Sequence, residues 1–345
     1  MAETVRVGII GAGWPGAAQA RGFAAAGGFK LVAVADLIPQ RRAQLMAEFA
    51  IPREYADAAD LIKDRDIDAV AICLPNHLHA QAAIAAMRTG KHVICEAPPA
   101  LSAADARRMS ASAAKNNRIL LYDFQRRFGA HEAAAKLAIT KGFIGDAYHV
   151  RCAWTRTRGI SFGTGWYTQK EKAGGGAIFD LGVPLLDLGW HLLGQPKPLH
   201  AFGAAHARLA PGLAPATPFD VDEATFALLH FEGGRSLELA ATWAINQPPH
   251  QNGTVCRVHG AHGCIEVYTP EGATLYRDFK PDGSCRQNPL KPPRLAGHAA
   301  LMRHFRDCIA GRTIPLVGGP EGLALMEMAE AIARTAATGK GAAIG

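Results

Sequence analysis

TVRVGIIGAGWPG (Thr4 to Gly16) begins as a β-branched, apolar run and passes directly into a Gly-x-Gly-x-x-Gly turn. An alanine-rich helical stretch follows from about Ala17 to Ala26, and FKLVAVAD then ends at Asp36, 20 residues beyond Gly16. The glycine motif alone is weak evidence. Its setting between a strand and a helix, with an acidic residue closing the next strand, makes it a specific sign of dinucleotide binding. Gly11 supplies the tight turn, Gly13 lets the backbone approach a pyrophosphate, and Gly16 lets the helix pack closely on the sheet. The helix N-terminus, with Trp14 and Pro15 in its first turn, presents free N–H groups to phosphates. Pro15 removes one donor there, at little cost to the helix. A carboxylate at Asp36 accepts hydrogen bonds from both ribose hydroxyls and repels a 2′-phosphate, so the expected cofactor is NAD. Arg41 and Arg42, one helical turn on, soften that repulsion and keep NADP as the alternative.

The same alternation continues outward. Strands are expected at 67–73, 91–95 and 118–122, and helices at 39–49 (starting on Pro39), 77–89 and 102–115, the last with Ser102 as N-cap. Alternating strands and helices imply right-handed βαβ units and a doubly wound parallel sheet, an α/β Rossmann domain over residues 1–122. After residue 123 the pattern changes. A helix at 129–141 leads to extended segments at 146–157, 198–207, 222–232, 235–245, 253–259, 263–269 and 272–279. A helical pattern at 176–193 interrupts them, and helices near 298–310 and 319–338 close the chain. Residues 123–345 therefore read as an α+β domain for substrate binding and oligomerisation, built on a large, mostly antiparallel open sheet. Its 281–297 segment, with four prolines, reads as a surface loop.

Composition agrees with this division. A chain of 345 residues is long enough for two domains of roughly 150 residues each. With 49% hydrophobic and 19% charged residues, disorder is excluded as the general state. Apolar runs are too short for a membrane helix, and the opening MAETVRV does not read as a signal peptide. Seven cysteines, odd in number and without a CxxC pair, point to a reducing cytoplasm rather than to a disulfide scaffold or a cysteine zinc site. The net charge of +7 is dispersed, with no basic stripe interleaved with aromatics, so nucleic acid is not an expected partner. An anionic cofactor or substrate accounts for part of the excess. No metal site is expected, because His77/His79 and His259/His262 lack acidic or cysteine partners at ligand spacing.

Several segments, taken in order, resemble the Gfo/Idh/MocA oxidoreductases, the glucose–fructose oxidoreductase and inositol dehydrogenase group. CLPNHLHAQAAIAAMRTGKHVICEAPPAL (Cys73 to Leu101) is similar to the family's run from the third sheet strand to its Glu-Lys-Pro motif. QRRF (Gln125 to Phe128), GGGAIFDLGVPLLD (Gly174 to Asp187) and HGAHGCIEV resemble later signatures of that family. The resemblance covers essentially the whole chain. It implies that Leu74, Pro75, Asn76 and His79 line the dinucleotide and that Glu96 hydrogen-bonds the nicotinamide-side ribose. Ala97 and Gln125 join the same set. It also implies a homodimer or homotetramer built on the open sheet.

Two positions depart from the family pattern. Where members that transfer hydride carry lysine in Glu-Lys-Pro, this chain has Ala97. Where they carry histidine in the second-domain motif, it has Pro184. Neither side chain can take the hydroxyl proton that alcohol oxidation releases. Pro184 is also expected to kink the 176–193 helix. Asp180, Pro184, Asp187 and His191 share a helical face, but His191 lies about 10 Å beyond Pro184 along the axis, too far to replace it. The leading candidate for the acid/base role is Asp180, one turn before Pro184. The second is Asp123, at the carboxyl end of the 118–122 strand, where the family commonly has a small residue. Asp180 also belongs to the expected substrate site, with Arg156 and Arg158 in RTRGI and Trp166 and Tyr167 in GWYTQK. That set suits an anionic sugar, a polyol or a cyclitol. The leading function is thus an NAD-dependent oxidoreductase of a polyhydroxy compound with an atypical acid/base group. The alternatives are a non-catalytic dinucleotide-binding relative, and a lyase or glycosidase that uses transient oxidation.

Overall fold

The computed structural model describes residues 4–159, 165–213, 218–270 and 272–345. The chain divides into two compact units. One runs to Phe128 and includes Leu295–Leu323; the other comprises Gly129–Arg294 and Ala324–Gly345. The expected boundary after residue 122 thus falls inside a strand, and a segment from near the chain's end joins the first unit.

In chain order the first unit carries β1 (Val5–Ile10), α1 (Trp14–Ala26), β2 (Phe29–Ala35), α2 (Pro39–Phe49), β3 (Arg53–Tyr55), α3 (Ala58–Lys63), β4 (Ala69–Ile72), α4 (Asn76–Arg88), β5 (His92–Glu96), α5 (Ala103–Asn116) and β6 (Leu120–Asp123). The second carries α6 (Ala130–Thr140), β7 (Ala147–Thr155), α7 (Lys170–Ala173), α8 (Val183–Leu192), β8 (Pro198–His206), α9 (Ala210–Leu213), β9 (Ala224–Phe231), β10 (Arg235–Thr242), β11 (Gly253–Gly260), β12 (Gly263–Thr269), β13 (Gly272–Arg277) and β14 (Arg286–Pro289). α10 (Gly297–Ile309), α11 (Gly319–Thr338) and β15 (Ala342–Ala343) follow.

The first sheet has the order β3-β2-β1-β4-β5-β6, with every recorded pairing parallel. Its central strands are apolar without alternation because helices cover both faces. The order reverses between β1 and β4, the switch point where a doubly wound sheet opens a ligand crevice at its carboxyl ends. α10 belongs here because Leu301, Met302 and Phe305 pack into the same core as Phe23 of α1. A Cβ on Gly22 of α1 would sit 2.7 Å from the His298 Cβ, so only glycine lets α10 approach this closely.

The second sheet has the order β14-β13-β12-β11-β7-β10-β9-β8-β15, antiparallel except where β10 pairs β7. Gly233 and Gly234, both at positive φ, turn β9 into β10 as the Gly-Gly pair suggests. The 281–297 segment is only partly loop, since Arg286–Pro289 pairs with β13 as an edge strand. Proline is tolerated there because an edge has ladder positions that need no donor. The 176–193 helix also differs from expectation. Ile178–Gly182 forms a π turn that runs on into α8, the backbone staying helical through Gly182 and Val183, so the missing Pro184 N–H falls where the π turn already alters the hydrogen-bond ladder. Among the described residues, no helix is long and apolar enough to cross a membrane.

Candidate active site

The glycine turn is fixed by backbone contact. Gly11 has φ +93°, and a Cβ there would run into the Cys73 carbonyl oxygen; a Cβ on Gly16 would run into the carbonyl oxygen of Gly11. Gly13 caps α1 without a side-chain acceptor, and no acidic residue occupies the first turn. The first N–H groups of α1 therefore keep their capacity for an anion. Asp36 reaches back to the same turn: Oδ2 accepts the Ala12 N–H at 2.8 Å and Oδ1 the Ile38 N–H at 2.8 Å. Each oxygen retains an acceptor direction for a ribose hydroxyl. Arg42 donates to the Asp36 carbonyl oxygen and to Glu54, both at 2.7 Å, which ties it away from a 2′-phosphate, whereas Arg41 is exposed. Trp14 and Leu37, 70% and 84% exposed, leave apolar surface beside this turn. These features fit a nicotinamide adenine dinucleotide.

At the β4 and β5 ends, Leu74 and Pro75 are half-buried and Asn76 is buried. His79 is 1% exposed, with Nδ1 2.9 Å from the Pro98 carbonyl oxygen and Nε2 2.7 Å from that of Leu74. Burial holds it neutral, pushing its pKa down against those two carbonyls. A neutral ring has one N–H, so it donates to one of these carbonyls and packs its other nitrogen against the second, between the Leu74 and Pro98 loops. Ala97 is half-buried, and Gln125 is exposed in the 3-10 turn Gln125–Phe128.

Glu96 and Asp123 end adjacent parallel strands in direct register. Glu96 accepts the Gln19 amide N–H at 2.7 Å. Burial, and then the Asp123 charge, push the Glu96 carboxyl well above the usual carboxylate range. The Asp123 side chain is 1% exposed, and neither of its oxygens receives a hydrogen bond from a described residue; His298 Nε2 stands 3.5 Å away. Burial works against the charged imidazole of His298, but the Asp123 carboxylate outweighs it and raises the His298 pKa.

In the second unit, the glycine-rich segment is clamped by Asp222, which accepts the N–H groups of Gly176 at 2.7 Å and Ile178 at 2.9 Å. Gly176 is obligatory there, since a Cβ would collide with the Asp222 carbonyl oxygen. The clamp sets the π turn that carries Asp180, whose Oδ2 accepts the Trp243 indole N–H at 2.7 Å. Burial raises the Asp180 pKa, against the pull of the Trp243 hydrogen bond and the Arg156 charge. The result is a fixed, partly exposed carboxylate more basic than an ordinary aspartate.

The two arginines separate after β7 ends at Thr155. Arg156 lies 4.7 Å over the Trp154 ring and close enough to act on Asp180, whereas Arg158 donates to Asn246 at 2.9 Å and pairs with Ala244 as an isolated bridge. The two therefore do not act together: Arg156 lies near Asp180, and Arg158 is engaged by Asn246. Trp166 and Tyr167 stack on each other at 3.9 Å. Ile160 of the RTRGI stretch lies outside the described residues. Asp187 and His191 are buried. Four residues that sequence reasoning passed over, Gln19, Asp222, Trp243 and His298, hold the candidate carboxylates in place. Only Gln19 left a signal, as a polar residue one turn after Gly16 in an alanine-rich helix.

Residues 5–124 match the profile of the oxidoreductase family with an NAD-binding Rossmann fold, and residues 133–266 match that of the GFO/IDH/MocA C-terminal domain. The D-glucoside 3-dehydrogenase of Escherichia coli is 27% identical, across 97% of this chain and 96% of that protein. The levoglucosan dehydrogenase of Pseudarthrobacter phenanthrenivorans is 29% identical, across 76% and 73%. A levoglucosan dehydrogenase structure in complex with NADH and L-sorbose shares the fold, with TM-score 0.87, 24% identity and 99% of each chain covered. With both parts of the chain matched in order, and with a dinucleotide turn whose Gly11 and Gly16 admit no side chain, the protein belongs to the Gfo/Idh/MocA family of NAD-dependent oxidoreductases.

Proposed function

We propose that this protein oxidises a hydroxyl of a sugar, anhydrosugar, cyclitol or related polyhydroxy compound, with Asp180 as the group that takes the hydroxyl proton. The observation that carries the reading is the Asp180 carboxylate, which is fixed by Trp243, made more basic by burial, and set beside the Arg156 guanidinium. The bound cofactor supplies the hydride acceptor. Asp180 draws the proton from the substrate oxygen through Oδ1, since Oδ2 is engaged by Trp243. Arg156 orients hydroxyl or anionic groups of the substrate, and Trp166 and Tyr167 offer stacked rings for a sugar face. The relatives named for D-glucosides and levoglucosan support this substrate class, and the reducing cytoplasm fits seven cysteines without a disulfide. The test is a panel of glucosides, anhydrosugars, ketoses and inositols, followed by the absorbance of reduced nicotinamide. Accumulation of reduced cofactor with at least one compound supports the reading. A product released without net redox change favours transient oxidation instead.

A second reading, a non-catalytic dinucleotide-binding relative, rests on Ala97 and Pro184, which put an apolar side chain at both of the family's proton-handling positions.

For the cofactor, NAD should bind more tightly than NADP, and Asp36→Ala should narrow the gap. Calorimetric titration of both nucleotides checks this, and equal or tighter NADP binding to the unaltered protein would refute it. For assembly, the open face of the second sheet carries Phe202, Phe226 and Leu228, with Phe202 and Leu228 directly opposed across β8 and β9. We place a second copy of the chain on that face, giving a homodimer or homotetramer. Light scattering at micromolar concentration should show a multiple of 36.5 kDa that Leu228→Asp reduces. A monomeric mass for the unaltered protein would count against it.

A further inference from the structure

Asp123 is an unusual strand end. Its carboxylate is almost wholly buried, ends its strand in register with Glu96, and receives no hydrogen bond of ordinary length from a described residue, with His298 Nε2 standing 3.5 Å away. A buried anion so sparsely served by donors is strongly disfavoured. One proton placed between the two carboxyls removes one charge and supplies the missing hydrogen bond, as in any close carboxyl pair. Around the pair, Cys73, Cys95 and Tyr122 are buried and held neutral, each raised above its usual value chiefly by burial. From α1 the uncharged Gln19 faces the pair, and from α10 His298. Glu96 is half-buried, whereas the closed-off Asp123 carboxyl touches solvent through the His298 side chain, which is 21% exposed.

The location gives this pair a task. Asp36 on β2 marks the adenosine side of the switch point and the N-terminus of α1 marks the pyrophosphate, which leaves the β4–β6 ends for the nicotinamide half. Glu96 and Asp123 end β5 and β6. An oxidised nicotinamide ring is cationic and a reduced one is neutral.

We propose that Glu96 and Asp123 form a proton store whose occupancy follows the charge of the nicotinamide, and that His298 is the positioning residue through which the store exchanges protons with solvent. This rests on NAD binding at the carboxyl ends of the first sheet, as read above. With the cationic ring present, the pair releases its shared proton. When a substrate alcohol becomes a carbonyl, one hydride and one proton leave it: the hydride neutralises the ring, and the proton, shed from Asp180 to water, is matched by uptake of one proton at the pair through His298. Charge at the β5 and β6 ends is thereby conserved through the reaction.

The test is calorimetry of NAD and of NADH binding to the full chain, in buffers of different ionisation heat across mildly acidic to mildly alkaline pH. NAD binding should release protons and NADH binding should not. The ratio of the two affinities should then change by up to about tenfold per pH unit, the limit for one linked proton. Asp123→Asn should abolish the difference while both nucleotides still bind, and His298→Gln should displace its pH range. Thermal unfolding supplies a readout without nucleotide. Glu96 and His298 are both raised, so the folded chain holds extra protons and loses stability as pH rises through their folded values. Asp123→Asn should therefore unfold at a higher temperature than the unaltered protein at alkaline pH. Equal proton stoichiometry for NAD and NADH overturns the proton store alone. Failure of either nucleotide to bind overturns the functional reading as well.

Discussion

Asp180→Asn should lower turnover on an accepted sugar by about 10²-fold or more, the usual scale for losing a general base. The amide oxygen can still accept the Trp243 indole N–H, so the π turn and the fold should persist, and the melting temperature serves as the control. The unaltered enzyme should also lose kcat/KM as pH falls through the raised Asp180 value, because protonation removes the base. That acid limb should disappear in the variant. A variant with the original rate and pH profile would remove Asp180 from the mechanism. Asp123→Asn should match this loss only if Asp123, rather than Asp180, accepts the substrate proton.

The second large effect is expected at the cofactor turn. Gly16→Ala drives a methyl group into the Gly11 carbonyl oxygen, and both partners are backbone, so neither can rotate away. Relief requires α1 to move off β1. The strain should weaken NAD by roughly 10- to 100-fold, the range that follows from about 1–3 kcal/mol of backbone strain. It should also lower the melting temperature. Gly13→Ala makes the contrast: its Cβ meets nothing closer than the Pro15 Cδ at 3.6 Å, so the fold should keep its stability while the methyl group obstructs the pyrophosphate. Affinity lost in both variants, with stability lost only at Gly16, is the expected pattern, read by calorimetry and thermal melts. Unchanged NAD affinity in Gly16→Ala would contradict it.

What the sequence makes legible is whatever depends on local periodicity and turn chemistry. The glycine turn, Asp36, the Ser102 cap and the Gly233–Gly234 hairpin are each written in neighbouring residues, and each is found where expected; Ser102 Oγ accepts the Asp105 N–H at 3.1 Å. Relations between distant segments are not written that way. His298 meets Asp123 across 175 positions only because Gly22 lets α10 close on α1. Asp222 clamps Gly176 from a strand entry 46 positions away, and nothing in GGGAIFD names its partner. Pro184 misled for a different reason. Helix periodicity cannot register the extra residue of a π turn, and that turn, over Ile178–Gly182, is what stands before the proline. The neighbours of His79 are not written locally either, because only the folded loops bring the Leu74 and Pro98 carbonyls to its ring.

The central claim is that a carboxylate does the proton work for which the family pattern supplies lysine and histidine. The most direct measurement compares the unaltered protein with the double variant Ala97→Lys, Pro184→His, on the same panel of sugars and cyclitols with NAD. The unaltered protein should already reduce NAD with at least one compound, and Asp180→Asn should abolish this activity. An unaltered protein that reduces no NAD with any of them, beside a double variant that does, would contradict the account and make the chain a non-catalytic dinucleotide binder.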